Sequence, residues 1–170
     1  KLPIPFLCIA TDIETGKPVL LNEGYLPLAI LASSAFPTLF SPVEINGRML
    51  IDGGVANNYP IDEVKNMGAE IIIGVDVQDD LKDRNGLKDA TRILVQISNL
   101  QMIESMKEKV KKTDIYIKPD ISNFNVISFD EGRSIIRTGE EAAFSVYEKI
   151  KALGNKEGYK VQYQKKPNDS

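Results

Sequence analysis

Histidine is absent from this chain of 170 residues, and cysteine occurs once. Without an imidazole the chain cannot complete a Ser-His-Asp triad, a Cys-His pair or a His-containing zinc site from its own side chains. A Ser-Asp dyad survives that exclusion, because it needs no imidazole. The single thiol, Cys8, rules out an intrachain disulfide. Within Phe6-Leu7-Cys8-Ile9-Ala10 it reads as a small apolar residue on a core strand rather than a reactive thiol. Long apolar runs are also missing: none approaches the ~20 residues that a membrane-spanning helix needs. A net charge of −3 leaves no electrostatic reason to expect a nucleic acid partner. Asp76, Asp79, Asp80, Asp83 and Asn85 lack the D-x-[DN]-x-[DN]-G spacing and closing glutamate of a calcium loop, so they read as solvated loop. Thr15-Gly16-Lys17 has no glycine five residues before Gly16 and is not a phosphate loop.

What is present fits a globular domain with a substantial core, at 42% hydrophobic and 26% charged residues. Ile4 to Thr11 and Pro18 to Asn22 read as strands around a turn at residues 14–17. Gly24 to Phe36 reads as a helix with Pro27 in its first turn and Pro37 as its stop. Asn46-Gly47 marks a hairpin between Val43–Ile45 and Arg48–Ile51, because both turn positions favour positive φ. Pro60 to Met67 reads as a helix closed by Gly68, and Glu70 to Val77 as a buried strand of the parallel kind. Asp89 to Lys112 reads as an amphipathic helix with Ile93, Ile97, Leu100, Ile103, Met106 and Val110 on its apolar face. Asp114 to Lys118 is a short strand. Ser128-Phe129-Asp130-Glu131 reads as a capping box that opens a last helix through Leu153, closed by Gly154. Strands alternating with helices argue for an α/β class.

The run Met49-Leu50-Ile51-Asp52-Gly53-Gly54-Val55-Ala56-Asn57-Asn58-Tyr59-Pro60 carries the most chemistry. An apolar strand ends in a carboxylate, and two glycines follow that let other backbone come close. Spacing alone leaves open whether Asp52 is catalytic or merely a loop cap. Asn57 and Asn58 are placed to orient this loop by side-chain hydrogen bonds, with helix N-capping before Pro60 as the rival reading, favoured for Asn58. Lysines at 107, 109, 111, 112, 156, 160, 165 and 166 are interspersed with acids and read as a solvated face before an anionic-membrane contact.

The pattern D-G-G-x-x-N-N-x-P resembles the aspartate motif of the patatin-like phospholipases. Upstream, Ala32-Ser33-Ser34-Ala35-Phe36-Pro37-Thr38-Leu39-Phe40-Ser41-Pro42 is similar to that family's A-S-x-A-x-P-x-x-F-x-P stretch. Downstream, Met67 to Val77 is similar to its G-A-(D/E) followed by a strand ending V-D-V. Three matches in order, from about Phe6 to Val77, are more specific than any one alone.

The resemblance implies a three-layer α/β fold with a mixed central sheet, and hydrolysis of a lipid ester by a Ser-Asp dyad without metal or organic cofactor. Asp52 is then the general base, with Gly53, Gly54, Asn57 and Asn58 as its supporting loop. Leu31, Ser34, Phe36 and Phe40 become candidates for an acyl-chain pocket, alongside Leu28, Ile30 and Leu39, against the plain reading of core residues. No serine here has the flanking glycines of a G-x-S-x-G elbow, and no glycine-rich oxyanion loop is found. Ser33 and Ser34, near a helix end, are not elbow serines. Residues 1–154 are therefore expected to be the C-terminal part of a patatin-like domain, with 155–170 as a polar tail or linker. Expected partners are a lipid ester, a membrane surface, and either the missing N-terminal part of the domain or a second copy. The alternatives are a non-catalytic lipid- or partner-binding module of hydrolase shape, and an unrelated α/β enzyme pairing Asp52 with Asp12 or Asp76.

Overall fold

The computed structural model describes residues 2–78, 80–125 and 128–156. The N-terminal half is a four-stranded antiparallel sheet in the order β2-β1-β4-β3, from β1 (Cys8–Asp12), β2 (Pro18–Leu21), β3 (Val43–Ile45) and β4 (Arg48–Asp52). The β3–β4 hairpin turns through Asn46 at φ 52° and Gly47 at φ 73°, the paired left-handed conformation that Asn-Gly favours. Helix α1 (Leu26–Ser33), with Pro27 in its first turn, packs on β1 and β4. Ala10, Ala32 and Leu50 are buried together there, with Val19, Leu21, Val43 and Ile45 around them. Side chains as small as alanine let the helix approach the sheet closely.

After β4 come two short helices, α2 (Gly54–Asn57) and α3 (Ile61–Asn66), then β5 (Ile73–Val75), α4 (Ala90–Lys111) and β6 (Ile115–Ile117). Strands β5 and β6 pair in parallel, with Ile73 opposite Ile115 and Val75 opposite Ile117. A second core joins Tyr59, Ile61, Ile72 and Met106, flanked by Val64, Ala69 and Val110. Asp89 caps α4, its carboxylate accepting the Arg92 N–H at 2.9 Å. The last described elements are α5 (Gly132–Ser145) and α6 (Tyr147–Lys156). The class is α/β with mixed strand directions, as the sequence implies, but the described strands form two sheets rather than one.

Four expectations need correction. The strand expected over residues 70–77 is only three residues long. Ile73, Val75 and Val77 are 47%, 52% and 62% exposed, because β6 is the only strand hydrogen-bonded to β5 among the described residues. The apolar face of α4 is half used: Met106 is buried, and Ile103 and Val110 are partly covered, while Ile93, Ile97 and Leu100 are exposed. The second core reaches only the C-terminal half of that helix. Ser128 does not cap a helix. Its hydroxyl accepts the Asn125 N–H at 3.2 Å, and a single 3-10 turn over Phe129–Glu131 precedes α5. The final helix is broken at Val146, and Gly154 lies inside α6 rather than closing it. The expected tail, from residue 157 onward, lies outside the described residues.

Candidate functional site

Asp52 is the last residue of β4, opposite Ala10 of β1. Its backbone is held from three directions. The Asp52 N–H donates to the Ala35 carbonyl at 3.0 Å, and the Gly53 N–H donates to the Ser33 carbonyl at 3.1 Å. The Thr11 hydroxyl donates to the Asp52 carbonyl at 2.8 Å. The first two bonds come from the end of α1 and the residues just after it. The Ala32-Ser33-Ser34-Ala35 run thus meets the aspartate loop through main-chain oxygens, not through serine hydroxyls.

The carboxylate is fixed as well: Oδ1 accepts the Gly54 N–H at 2.7 Å. Burial pushes the Asp52 carboxyl above the usual aspartate range, and the Gly54 hydrogen bond pulls it partly back. Both glycines have steric reasons to be there. A Cβ on Gly53 would overlap the backbone carbonyl of Ile9 on β1. A Cβ on Gly54 would stand 2.8 Å from Asp52 Oδ1 and 2.9 Å from Asn58 Oδ1. At Gly53 only hydrogen fits against that backbone, and at Gly54 a side chain would have to displace the Asp52 and Asn58 side-chain ends.

The two asparagines behave differently. Asn57, at the end of α2, donates from Nδ2 to Glu63 Oε1 at 3.0 Å and accepts at Oδ1 from Lys109 Nζ at 2.7 Å. It ties α2 to α3 and α4 through side chains rather than through the loop backbone. Asn58 does not cap the following helix. It closes α2, and α3 starts after Pro60 with no side-chain cap.

The candidate acyl residues scatter along α1 and the turn after it. Leu31 and Phe40 are each 51% exposed, Phe36 is half-buried, and Ser34 donates its hydroxyl to the Ile30 carbonyl at 2.8 Å. Two concavities lie elsewhere. One of about 450 Å³ runs along Tyr59, Pro60, Val64, Ile71, Ile73 and Val75. Another of about 370 Å³ is bounded by Asp76, Gln78, Tyr116, Lys118, Ile103 and Met106. Neither is lined by Asp52 or by the four candidate acyl residues.

Asp76 is not the solvated loop residue expected. It is buried, with Oδ1 accepting the Gln78 N–H at 2.8 Å and Oδ2 taking the Tyr116 hydroxyl at 2.5 Å and Lys118 Nζ at 3.1 Å. Desolvation, then the adjoining Asp76 carboxylate, pushes the Tyr116 phenol far up. Asp12 is engaged in its own turn, Oδ1 accepting the Glu14 N–H at 2.9 Å and the Thr15 N–H at 3.3 Å. No local signal marked Lys109 for this role; it reaches Asn57 from 52 positions away.

The family model for patatin-like phospholipases matches residues 8–65, from β1 through most of α3, with Asp52 inside the match. Over that segment the chain is similar to the patatin-like phospholipases. Over 75 residues this chain is 40% identical to an uncharacterized NTE family protein of Mycobacterium tuberculosis, covering 44% of this chain and 21% of the relative. It is 26% identical over 165 residues to lysophospholipase NTE1 of Candida glabrata, covering 81% of this chain and 9% of that protein. With lysophospholipase nte1 of Aspergillus fumigatus the identity is 24% over 179 residues, covering 89% of this chain and 12% of that one. The chain thus spans roughly a tenth to a fifth of the length of these relatives.

Proposed function

We propose that this chain carries the aspartate half of a serine-dependent lipid acyl hydrolase of the phospholipase A type, with Asp52 as general base. The observation that carries the reading is the state of Asp52: a carboxylate at a strand end, half-buried, locked by the Gly54 N–H and made more basic by burial. Those are the properties a proton acceptor for a serine hydroxyl needs. The patatin-like family and the fungal relatives named lysophospholipase support a lipid carboxylic ester as substrate, and a lysophospholipid as the first one to try.

The nucleophile is a serine outside residues 1–170. Its Oγ attacks the ester carbonyl while Asp52 takes the hydroxyl proton. The tetrahedral intermediate collapses, the ester C–O bond breaks, and Asp52 returns the proton to the leaving alcohol. Water then attacks the acyl-serine ester, giving up its proton to Asp52; the Oγ–acyl bond breaks, Asp52 returns the proton to the serine Oγ, and the acid is released. In a Ser-Asp dyad the carboxylate reaches the hydroxyl directly or through one water. Residues 1–154 act as the C-terminal part of the hydrolase domain, completed by its N-terminal part or shielded by a second copy. The assembled enzyme works at a membrane surface, where its substrate resides.

The test is Asp52→Asn in the full-length protein. The amide keeps the shape and cannot accept the proton, so hydrolysis of a p-nitrophenyl acyl ester should fall by about 10²–10⁴-fold. A folded Asp52→Asn enzyme with near-wild-type turnover sinks the general-base assignment. Residues 1–170 alone should neither turn over the ester nor take a fluorophosphonate label. The position of both concavities away from Asp52 favours, as second reading, a lipid- or partner-binding module. That reading gains if the full-length protein binds lysophospholipid micelles but hydrolyses none of the lipid.

A further inference from the structure

The one-turn helix α2 begins two residues after Asp52 and supplies the Gly54 N–H that fixes its carboxylate. A single turn has no intrinsic stability, since helix nucleation is unfavourable. Its place must be set from outside. At the N-terminal end, the Ser33 carbonyl and the tight fit of Gly53 against Ile9 do so. At the C-terminal end the Asn57 carboxamide is held between Lys109 on α4 and Glu63 on α3.

Glu63 accepts the Asn57 amide N–H, which leaves Oδ1 to face the Lys109 ammonium. The result is a charge-assisted hydrogen bond of 2.7 Å, the stronger kind. Lys109 is half-buried, and desolvation pulls its pKa down while Glu63 and Asp62 hold it up. Three residues on, at the C-terminal cap of α4, Lys112 meets Asp62 of α3 at 2.9 Å in an exposed ion pair. The C-terminal end of α4 therefore makes one bond that ends on α2, beside the aspartate loop, and one to α3 that does not.

We propose that Lys109 is a positioning residue for the hydrolytic site: by holding Asn57, it sets the orientation of α2 and hence of the Asp52 carboxylate. The inference rests on the general-base role given to Asp52 above. Lys109 touches neither substrate nor Asp52. Misplacing a catalytic group by about 1 Å costs on the order of 10²-fold in rate.

In the full-length protein, with a p-nitrophenyl acyl ester, Lys109→Met should lower kcat by about 10- to 100-fold with KM within about twofold. Lys109→Arg, which keeps a cationic donor, should recover most of the loss. Asn57→Ala should lose as much as Lys109→Met, and the double variant no more than either, because both remove one bond. Lys112→Met should turn over as wild type. If Lys109→Met does not fold, Asn57→Ala carries the same test. Three results overturn the inference: unchanged kcat in Lys109→Met and Asn57→Ala, a loss confined to KM, or additive losses in the double variant. Asp52→Asn run beside them separates the two claims. An inactive Asp52→Asn with a fully active Lys109→Met removes only the positioning role, while an active Asp52→Asn removes the base itself.

Discussion

Asp52 is held in an energetically costly state. A carboxyl raised by burial favours the folded protein only while protonated. That contribution is present below its unfolded pKa of about 3.9 and is lost as pH rises through the higher folded value. At pH 7 the ionised Asp52 therefore lowers stability, and Asp52→Asn should unfold at higher urea than wild type. The gap should narrow as the pH is lowered toward 4. Urea melts at the two pH values check the sign. The same shift should place the acid limb of kcat/KM above the range of an ordinary aspartate. At Gly53 the obstacle to a side chain is backbone, the Ile9 carbonyl, which cannot swing aside. Gly53→Ala should cost at least about 1–3 kcal/mol, read by thermal denaturation. At Gly54 the obstacles are the ends of Asp52 and Asn58, so alanine there should harm turnover more than stability.

Secondary elements form where local chemistry and packing agree. The β3–β4 hairpin needs left-handed backbone at Asn46 and Gly47, and both have it. Gly47→Ala has open space around the new methyl, so its cost is conformational alone, about 1 kcal/mol. Helix α5 offers the opposite case. Gly139 lies mid-helix with nothing within 4 Å of an added Cβ, so Gly139→Ala should stabilise by about 0.8–1.0 kcal/mol. Far-UV circular dichroism and a thermal melt check both. The hairpin and the capped start of α4 are readable from sequence because each depends on neighbouring residues. The length of β5 and the breaks around α5 are not. A strand pattern over residues 70–77 states which residues suit a sheet, not whether a partner strand lies alongside.

At the scale of the molecule, the apolar surface that remains is extensive. Ile73, Val75 and Val77 on the β5 side and Ile93, Ile97 and Leu100 on α4 stand open, as do Ile136 and Phe144 of α5. A two-stranded parallel sheet is rarely left with an uncovered face. The purified 170-residue chain should therefore bind ANS and elute above its monomer mass of 18.9 kDa. Light scattering that returns a strict monomer without dye binding would remove the proposed need for a covering partner.

The absence of histidine, the α/β class, the hairpin turn and the Asp52-Gly53-Gly54 loop were determined by the sequence, since each depends on residue type or on neighbours a few positions apart. The motif order also pointed to the patatin-like resemblance before any contact was known. Only the tertiary structure decided how that loop is held: the Ala35 and Ser33 carbonyls, the Thr11 hydroxyl, and Lys109 reaching Asn57 across the chain. It also decided that Asp76 is buried against Tyr116 and Lys118 rather than solvated. Hydrogen bonds between distant residues leave no periodicity and no local propensity, so no window of sequence carries them until the strands and helices are in place.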